Sequence, residues 1–215
     1  MYKIVFAILF ISSSFWVGAQ SEIRQDLELW LAAKVEYGVF KKTNASLALA
    51  SRYENNAQFS KTKFAQIGIQ FNQLKDISFS LNYRYAVDGK DNEVEQRIMM
   101  IGAYKYRLKP FDVSYRLRAD NFFGNDDFFD RVRNKFQIAY RKKKRRYRPF
   151  ISYEIFTTHK NKGWIMDQYR AKAGLKYKLS KSQNISFYYG IQSEFNTTFP
   201  ERDFILGSSY SYSFD

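Results

Sequence analysis

From residue 26 almost to its end the chain repeats one device, a short run in which apolar and polar side chains take turns. In Phe111-Asp112-Val113-Ser114-Tyr115-Arg116-Leu117-Arg118-Ala119-Asp120 the odd positions are apolar or aromatic and the even ones polar or charged, apart from Ala119 standing for a larger apolar residue. A period of two sends successive side chains to opposite faces of a β-strand. After the polar stretch 121–130 a second run sets Arg131, Arg133, Lys135 and Gln137 against Val132, Phe136, Ile138 and Tyr140. The same alternation reads through 26–39, 45–54, 63–71, 77–85, 147–156, 167–179, 185–194 and 204–214. Residues 93–108 are less regular, because Met99 and Ile101 share a face with Glu95 and Arg97. No later run is apolar for the roughly 18 residues a membrane helix needs. The class is all-β.

Alternation alone fits a soluble barrel, with its apolar face inward, and a transmembrane barrel, with its apolar face outward. The tyrosines weigh toward the second. Tyr37, Tyr53, Tyr85, Tyr106, Tyr140, Tyr147, Tyr153, Tyr169 and Tyr177 sit on the apolar face near strand ends, as two interfacial girdles around an aliphatic band require. Connections also alternate, with short ones at 40–44, 72–76, 109–110, 141–146 and 180–184 and longer ones between, as periplasmic turns and extracellular loops do. In hydrocarbon no strand edge can stay unpaired. The expectation is a transmembrane antiparallel up-and-down β-barrel of about 10–12 strands with a charged interior. Single-chain bacterial barrels have even strand counts, yet a first strand at Asp26 would start outside. The count is therefore expected to be 10 or 12, through an extra N-terminal strand, a segment threaded through the lumen, or a misdivided pair of runs.

Composition adds an address. Lys3, the apolar run 4–11 and the small residues Val17-Gly18-Ala19 predict a signal peptide, residues 1–19, cleaved after Ala19. Residues 20–215 then form a single outer-membrane β-barrel domain. The chain has 215 residues, no cysteine and a formal charge of +14, so neither disulfides nor a lipid-bearing cysteine anchor it. The last strand, Phe204 to Phe214, ends on an aromatic one residue before the terminus, a form read by the barrel assembly machinery. Localisation is expected in the cell outer membrane, with outer-membrane lipid and that machinery as partners.

With the apolar face outward, the lumen would hold an ionic network of Arg52, Glu54, Arg84, Glu95, Arg97, Arg116, Arg118, Asp120, Arg131, Arg133, Glu154, Arg170 and Glu194, with Lys172 beside them. A barrel of this size has a narrow interior, so acids and arginines must pair across strands. Two roles follow: a salt-bridged filling that keeps the barrel rigid, or a cation-lined passage for anionic solutes.

Several short patterns occur in a telling order: Trp30 in an early strand, Arg52 with Glu54, Glu95-x-Arg97, Arg116-x-Arg118, Arg131-x-Arg133, Pro149 followed by Glu154, and Gln168-x-Arg170 leading to Gly174-Leu175-x-Tyr177. In these the chain resembles a family of Gram-negative outer-membrane β-barrels catalogued only as a domain of unknown function, number twenty-four-ninety. The resemblance implies fold and location and supplies no activity.

Three other functions compete. A lipid-modifying outer-membrane enzyme would need a histidine beside a serine or carboxylate; His159 lies in a predicted outer loop, 157–163, with Ser152, Glu154 and Asp167 near in sequence. A soluble exported ligand-binding barrel would share the alternation. Nucleic-acid binding is suggested by the basic run 141–146 on charge alone. In a short periplasmic turn that run, with Lys41, Lys42, Lys75, Lys109 and Lys181, instead faces inner-leaflet phosphates or cell-wall polymers. With one histidine and no cysteine there is no ligand set for a metal, and no cofactor or catalytic residue is assigned.

Overall fold

Each alternating run forms a strand. A computed structural model describes residues 23–72, 74–124, 130–141, 145–160 and 163–214, so the expected signal peptide and its cleavage site lie outside the described residues. The strands are β1 (Arg24–Phe40), β2 (Thr43–Glu54), β3 (Phe59–Phe71), β4 (Ile77–Asp88), β5 (Val94–Leu108), β6 (Phe111–Phe122), β7 (Arg131–Tyr140), β8 (Tyr147–Lys160), β9 (Gly163–Lys178), β10 (Gln183–Glu194) and β11 (Glu201–Phe214). Each pairs with its neighbours in chain order, and β1 pairs with β11, closing a barrel.

Among the described residues the count is eleven, so an even number does not hold. The reason is the closing pair. Arg24 lies opposite Glu201 and Tyr37 opposite Phe214, in parallel, whereas every other pair is antiparallel. A parallel seam lets an odd number of strands close with no edge left open. It also sends both seam strands the same way. The rim at which they start, here the upper rim, carries the connections 55–58, 89–93, 123–130, 161–162 and 195–200. The lower rim carries 41–42, 72–76, 109–110, 141–146 and 179–182, and β11 ends there.

The expected contrast between long and short connections is weaker than the sequence suggests, because strands extend further at the upper rim. Residues 157–160, read as loop, continue β8: Thr157 faces Met166, Thr158 faces Ile165, and His159 faces Trp164. A bulge between Phe156 and Thr157 shifts the register there, which breaks the apolar alternation while β-branched and aromatic pairs still support the strand. With β8 lengthened, Tyr153 is a mid-strand residue rather than a terminal one, stacked 5.9 Å from Tyr169. Elsewhere the upper rim is tied down locally. The Asp26 carboxylate accepts from the backbone N–H groups of Asn55 (2.7 Å) and Asn56 (3.0 Å), which docks the β2–β3 turn onto β1.

The two faces sort as alternation demands, with the greasy face outward. Leu49, Ile67, Phe79, Leu81, Phe136, Ile151 and Phe187 are exposed on the barrel wall. Buried inside are Glu28, Arg84, Arg118, Asp120, Arg133, Glu154 and Arg170, with Trp30, Met99, Phe156 and Ile205 among them. Met99, fully buried, confirms that the odd face of β5 points inward despite its irregular pattern.

Bulky rings fit this interior because they alternate with glycines across the seam. One row of facing residues runs Trp30, Gly207, Tyr188, Gly174, Phe150 over β1, β11, β10, β9 and β8. A Cβ on Gly207 would stand 2.0 Å from Tyr188 Cζ, and one on Gly174 would stand 2.9 Å from a Phe150 ring carbon and 2.4 Å from the Phe187 carbonyl oxygen. Large–small alternation of this kind is how a narrow barrel fills without voids. Gly207→Val should destabilise the folded barrel by about 1–3 kcal/mol through overpacking, read as a lowered urea midpoint in detergent. Adding Tyr188→Ala should restore most of the loss; no recovery would mean that the ring is not what the glycine accommodates.

Candidate functional site in the barrel lumen

The lumen places its arginines on two kinds of partner. The first is a carboxylate. Glu154, in the middle of β8, receives Arg116 from β6 at 2.8 Å, Arg133 from β7 at 3.0 Å and Arg170 from β9 at 3.4 Å. Three cations on one buried acid attract it strongly, because the charges are close and the medium between them is less polarisable than water. Asp120, fully buried, takes Arg118 at 2.5 and 3.0 Å through both of its oxygens, and Arg97 approaches it at 3.9 Å. Arg97 also pairs with Glu95 at 3.0 Å.

The second kind of partner is an aromatic face. Trp30 projects into the lumen and is met by Arg52 (4.1 Å), Lys172 (4.5 Å) and Arg170 (4.7 Å) from the ring centroid. Its indole N–H donates to Glu28 at 2.5 Å. Arg84 lies 3.8 Å from the Phe64 ring and donates to Gln66 at 2.7 Å. Arg133 and Arg170 flank Phe156 at 4.4 and 4.8 Å, and Arg97 lies 4.9 Å from Phe122. A desolvated cation–π contact is worth about 2 kcal/mol, which offsets part of the cost of burying charge where acids are too few.

Most of the expected network is therefore assembled. Arg97, Arg116, Arg118, Asp120, Arg133, Glu154 and Arg170 form the connected centre, and Glu95 adjoins it. Arg52 and Arg84 belong to it through rings and an amide rather than acids. Glu54 belongs to a separate upper-rim cluster with Lys90 (2.7 Å) and Lys61 (3.6 Å), where Lys61 also reaches the buried Glu28 at 2.5 Å. In the 89–93 connection the hydrogen bond to Glu54 raises Lys90 above its ordinary ammonium value. Arg131 donates to Thr158 at 3.2 Å near the same rim. Glu194 makes none of the ion pairs found among the described residues.

Sequence reasoning missed Glu28, Lys61, Gln66 and Gln192, the last an acceptor for Arg170 Nε at 2.7 Å. It also missed the rings as partners. The signal was there: Trp30, Phe64, Phe150, Phe156 and Tyr188 interrupt the otherwise polar face of their strands. The residues considered for catalysis go to different places. Ser152 and Glu154 are buried in the lumen, Asp167 pairs with Lys160 at 3.6 Å, and His159 stands at the upper rim, 5.3 Å from Trp164 between ring centroids.

Comparison with known proteins adds a family and no activity. The model of the family described as "Protein of unknown function (DUF2490)" matches residues 27–203. No curated protein matches the chain.

Glu154 is the test of the network. Glu154→Gln leaves three inward arginines without their shared counter-charge and should destabilise the barrel by about 3–5 kcal/mol. Glu95→Gln, at a half-exposed pair, should cost less than about 1 kcal/mol. Urea unfolding followed by tryptophan fluorescence measures both, and equal effects would refute a centre built on Glu154.

Proposed function

Because the chain belongs to the DUF2490 family, whose function is unknown, we propose from its geometry that it is an outer-membrane β-barrel with a lumen closed by its own ionic and aromatic side chains, serving a structural role and not as an open pore. One observation carries this reading: the exposed face of the barrel is apolar and the buried face is charged. In water that arrangement would leave a continuous greasy wall far beyond the patch size soluble monomers carry. In hydrocarbon it is the stable one.

The aromatic pairs support two interfacial girdles. Tyr37 with Phe214 (6.5 Å) and Phe111 with Tyr140 (5.7 Å) stand near the lower rim. Tyr169 with Phe195 (6.3 Å) and Tyr83 with Phe123 (6.2 Å) stand toward the upper one. Leu47, Leu49, Ile67, Ile69 and Leu81 occupy the wall between. Rings at headgroup depth and aliphatics between them are the membrane pattern. The odd strand count departs from the bacterial rule, but the parallel seam meets the requirement behind that rule, that no backbone edge faces lipid. On this reading β11 presents its terminal aromatics, Tyr212 and Phe214, to the assembly machinery at the periplasmic rim.

What supports a closed lumen is the burial of Met99, Asp120, Phe156 and Ile205, all at 1% exposure or less in the interior. The protein should fractionate with the outer membrane and run faster on a gel unboiled than boiled. In planar bilayers it should give no stable conductance. A large, steady, anion-selective current would overturn the closed reading in favour of a passage, while recovery in the soluble periplasmic fraction would overturn the membrane reading itself.

A further inference from the structure

The lower mouth of the barrel holds a cavity of about 330 Å³ lined by four cations, Arg146, Arg148, Lys176 and Lys178, with the hydroxyls of Ser186 and Ser209 on its wall. We propose that this cavity is a binding site for a phosphate group, presented by a small phosphorylated solute or by a lipid headgroup.

The argument begins with register. Arg148 faces Lys176 directly across β8 and β9, Lys176 faces Ser186 across β9 and β10, and Ser186 faces Ser209 across β10 and β11. Four adjacent strands thus turn two cations and two hydroxyls toward one space. The two serine oxygens lie 2.6 Å apart, so one hydroxyl donates to the other and the second proton remains to be given to a guest.

Charge balance sets this space apart from the rest of the lumen. Arginines higher in the barrel have carboxylates, amides or rings as partners, whereas of the four cavity cations Lys176 has the Phe150 ring at 5.3 Å and no carboxylate. Among the described residues, Arg146, Arg148, Lys176 and Lys178 make none of the ion pairs found. Of the acids at the lower rim, Asp112 is occupied by Lys105 (3.5 Å) and Arg141 (3.7 Å), and Glu36 by Lys34 (2.6 Å) and by the Ser213 hydroxyl (3.3 Å), while Asp76 belongs to the connection between β3 and β4, strands that contribute nothing to the cavity. No acid lines the cavity. Lys176 is exposed and Arg148 half-buried, so the cations remain within reach of solvent and of a solute.

The donor set matches phosphate better than a carboxylate or a cation. A planar guanidinium gives paired N–H donors to two phosphate oxygens, an ammonium adds a compact charge, and a hydroxyl supplies a third, neutral donor. A monoanionic carboxylate would use only part of this set, and a cation would be repelled. The site's chemistry does not depend on whether the lumen above it conducts.

The experiment uses the full-length mature barrel refolded into phosphatidylcholine nanodiscs, titrated calorimetrically with glycerol phosphate and, as the uncharged control, glycerol. Glycerol phosphate should bind saturably and glycerol should not. Arg148→Gln with Lys176→Gln should weaken binding about tenfold or more, whereas Lys90→Gln at the opposite rim should leave it unchanged. If the double variant fails to fold, Lys176→Gln alone reads the same loss at about threefold. Arg148→Lys with Lys176→Arg should keep most of the affinity while preserving charge. Displacement of glycerol phosphate when phosphatidylglycerol is added to the nanodisc would assign the site to a headgroup, and unchanged affinity would assign it to a soluble phosphorylated solute. Binding no better than that of glycerol, or an equal loss in the Lys90 variant, would overturn the proposal.

Discussion

Everything in this barrel depends on the parallel pairing of β1 with β11. That seam turns an open eleven-stranded sheet into a ring, and the ring fixes how much room there is inside. A small ring leaves space for side chains and little else, so the identity of each inward residue becomes a packing decision made together with its neighbours. The row from Trp30 through Gly207 and Tyr188 to Gly174 and Phe150 crosses the seam itself. Closure and filling are therefore linked: the strand that closes the ring, β11, presents Gly207 where the Tyr188 ring of β10 needs the space.

With the ring closed, the second constraint is electrostatic. In the connected centre Arg97, Arg116, Arg118, Arg133 and Arg170 share two acids, Asp120 and Glu154, and a bare guanidinium in a confined lumen is costly. Two solutions are combined. Acids are shared, as Glu154 is by three arginines, and aromatic faces take cations as well: Trp30 and Phe64 hold Arg52 and Arg84, which make none of the ion pairs found among the described residues, while Phe122 and Phe156 lie against Arg97 and Arg133, which also meet acids. Arg170 joins the two. It touches Glu154, Gln192, Trp30 and Phe156, so it couples β8, β10 and β1 through one side chain. The rings do for charge what the glycines do for volume.

The strands and their inward and outward faces were legible in the sequence because a period of two carries both at once. The hairpin of β6 and β7 is the clearest case: Arg116, Arg118, Arg131 and Arg133 alternate against Leu117, Phe136 and Ile138, and the inward and outward sets follow directly. Membership of the ionic centre was legible for the same reason. The parity of the barrel was not, since it depends on how β1 meets a strand more than 170 residues away (Arg24 against Glu201), which no local pattern records. The upper extension of β8 was hidden by a bulge that breaks the alternation. The partners of Arg52 and Arg84 were hidden because a ring on a polar face reads as an irregularity until its neighbours across the barrel are known.

The two ends of the lumen differ in a way that follows from these constraints. At the upper rim acids and bases come in near balance, with Glu28 and Glu54 set against Lys61 and Lys90, and Arg24 against Glu201. At the lower rim the acids Asp112 and Glu36 are already taken, and four of the cations there, Arg146, Arg148, Lys176 and Lys178, line a cavity to which no acid contributes. A cavity with low-dielectric walls focuses such an imbalance instead of letting solvent average it away. The barrel is thus near charge balance at its upper mouth and positive at its lower one. Packing does not require that asymmetry, since the lower cations reach solvent and fill no void; what the asymmetry supplies is an attractive potential for anions at a single end.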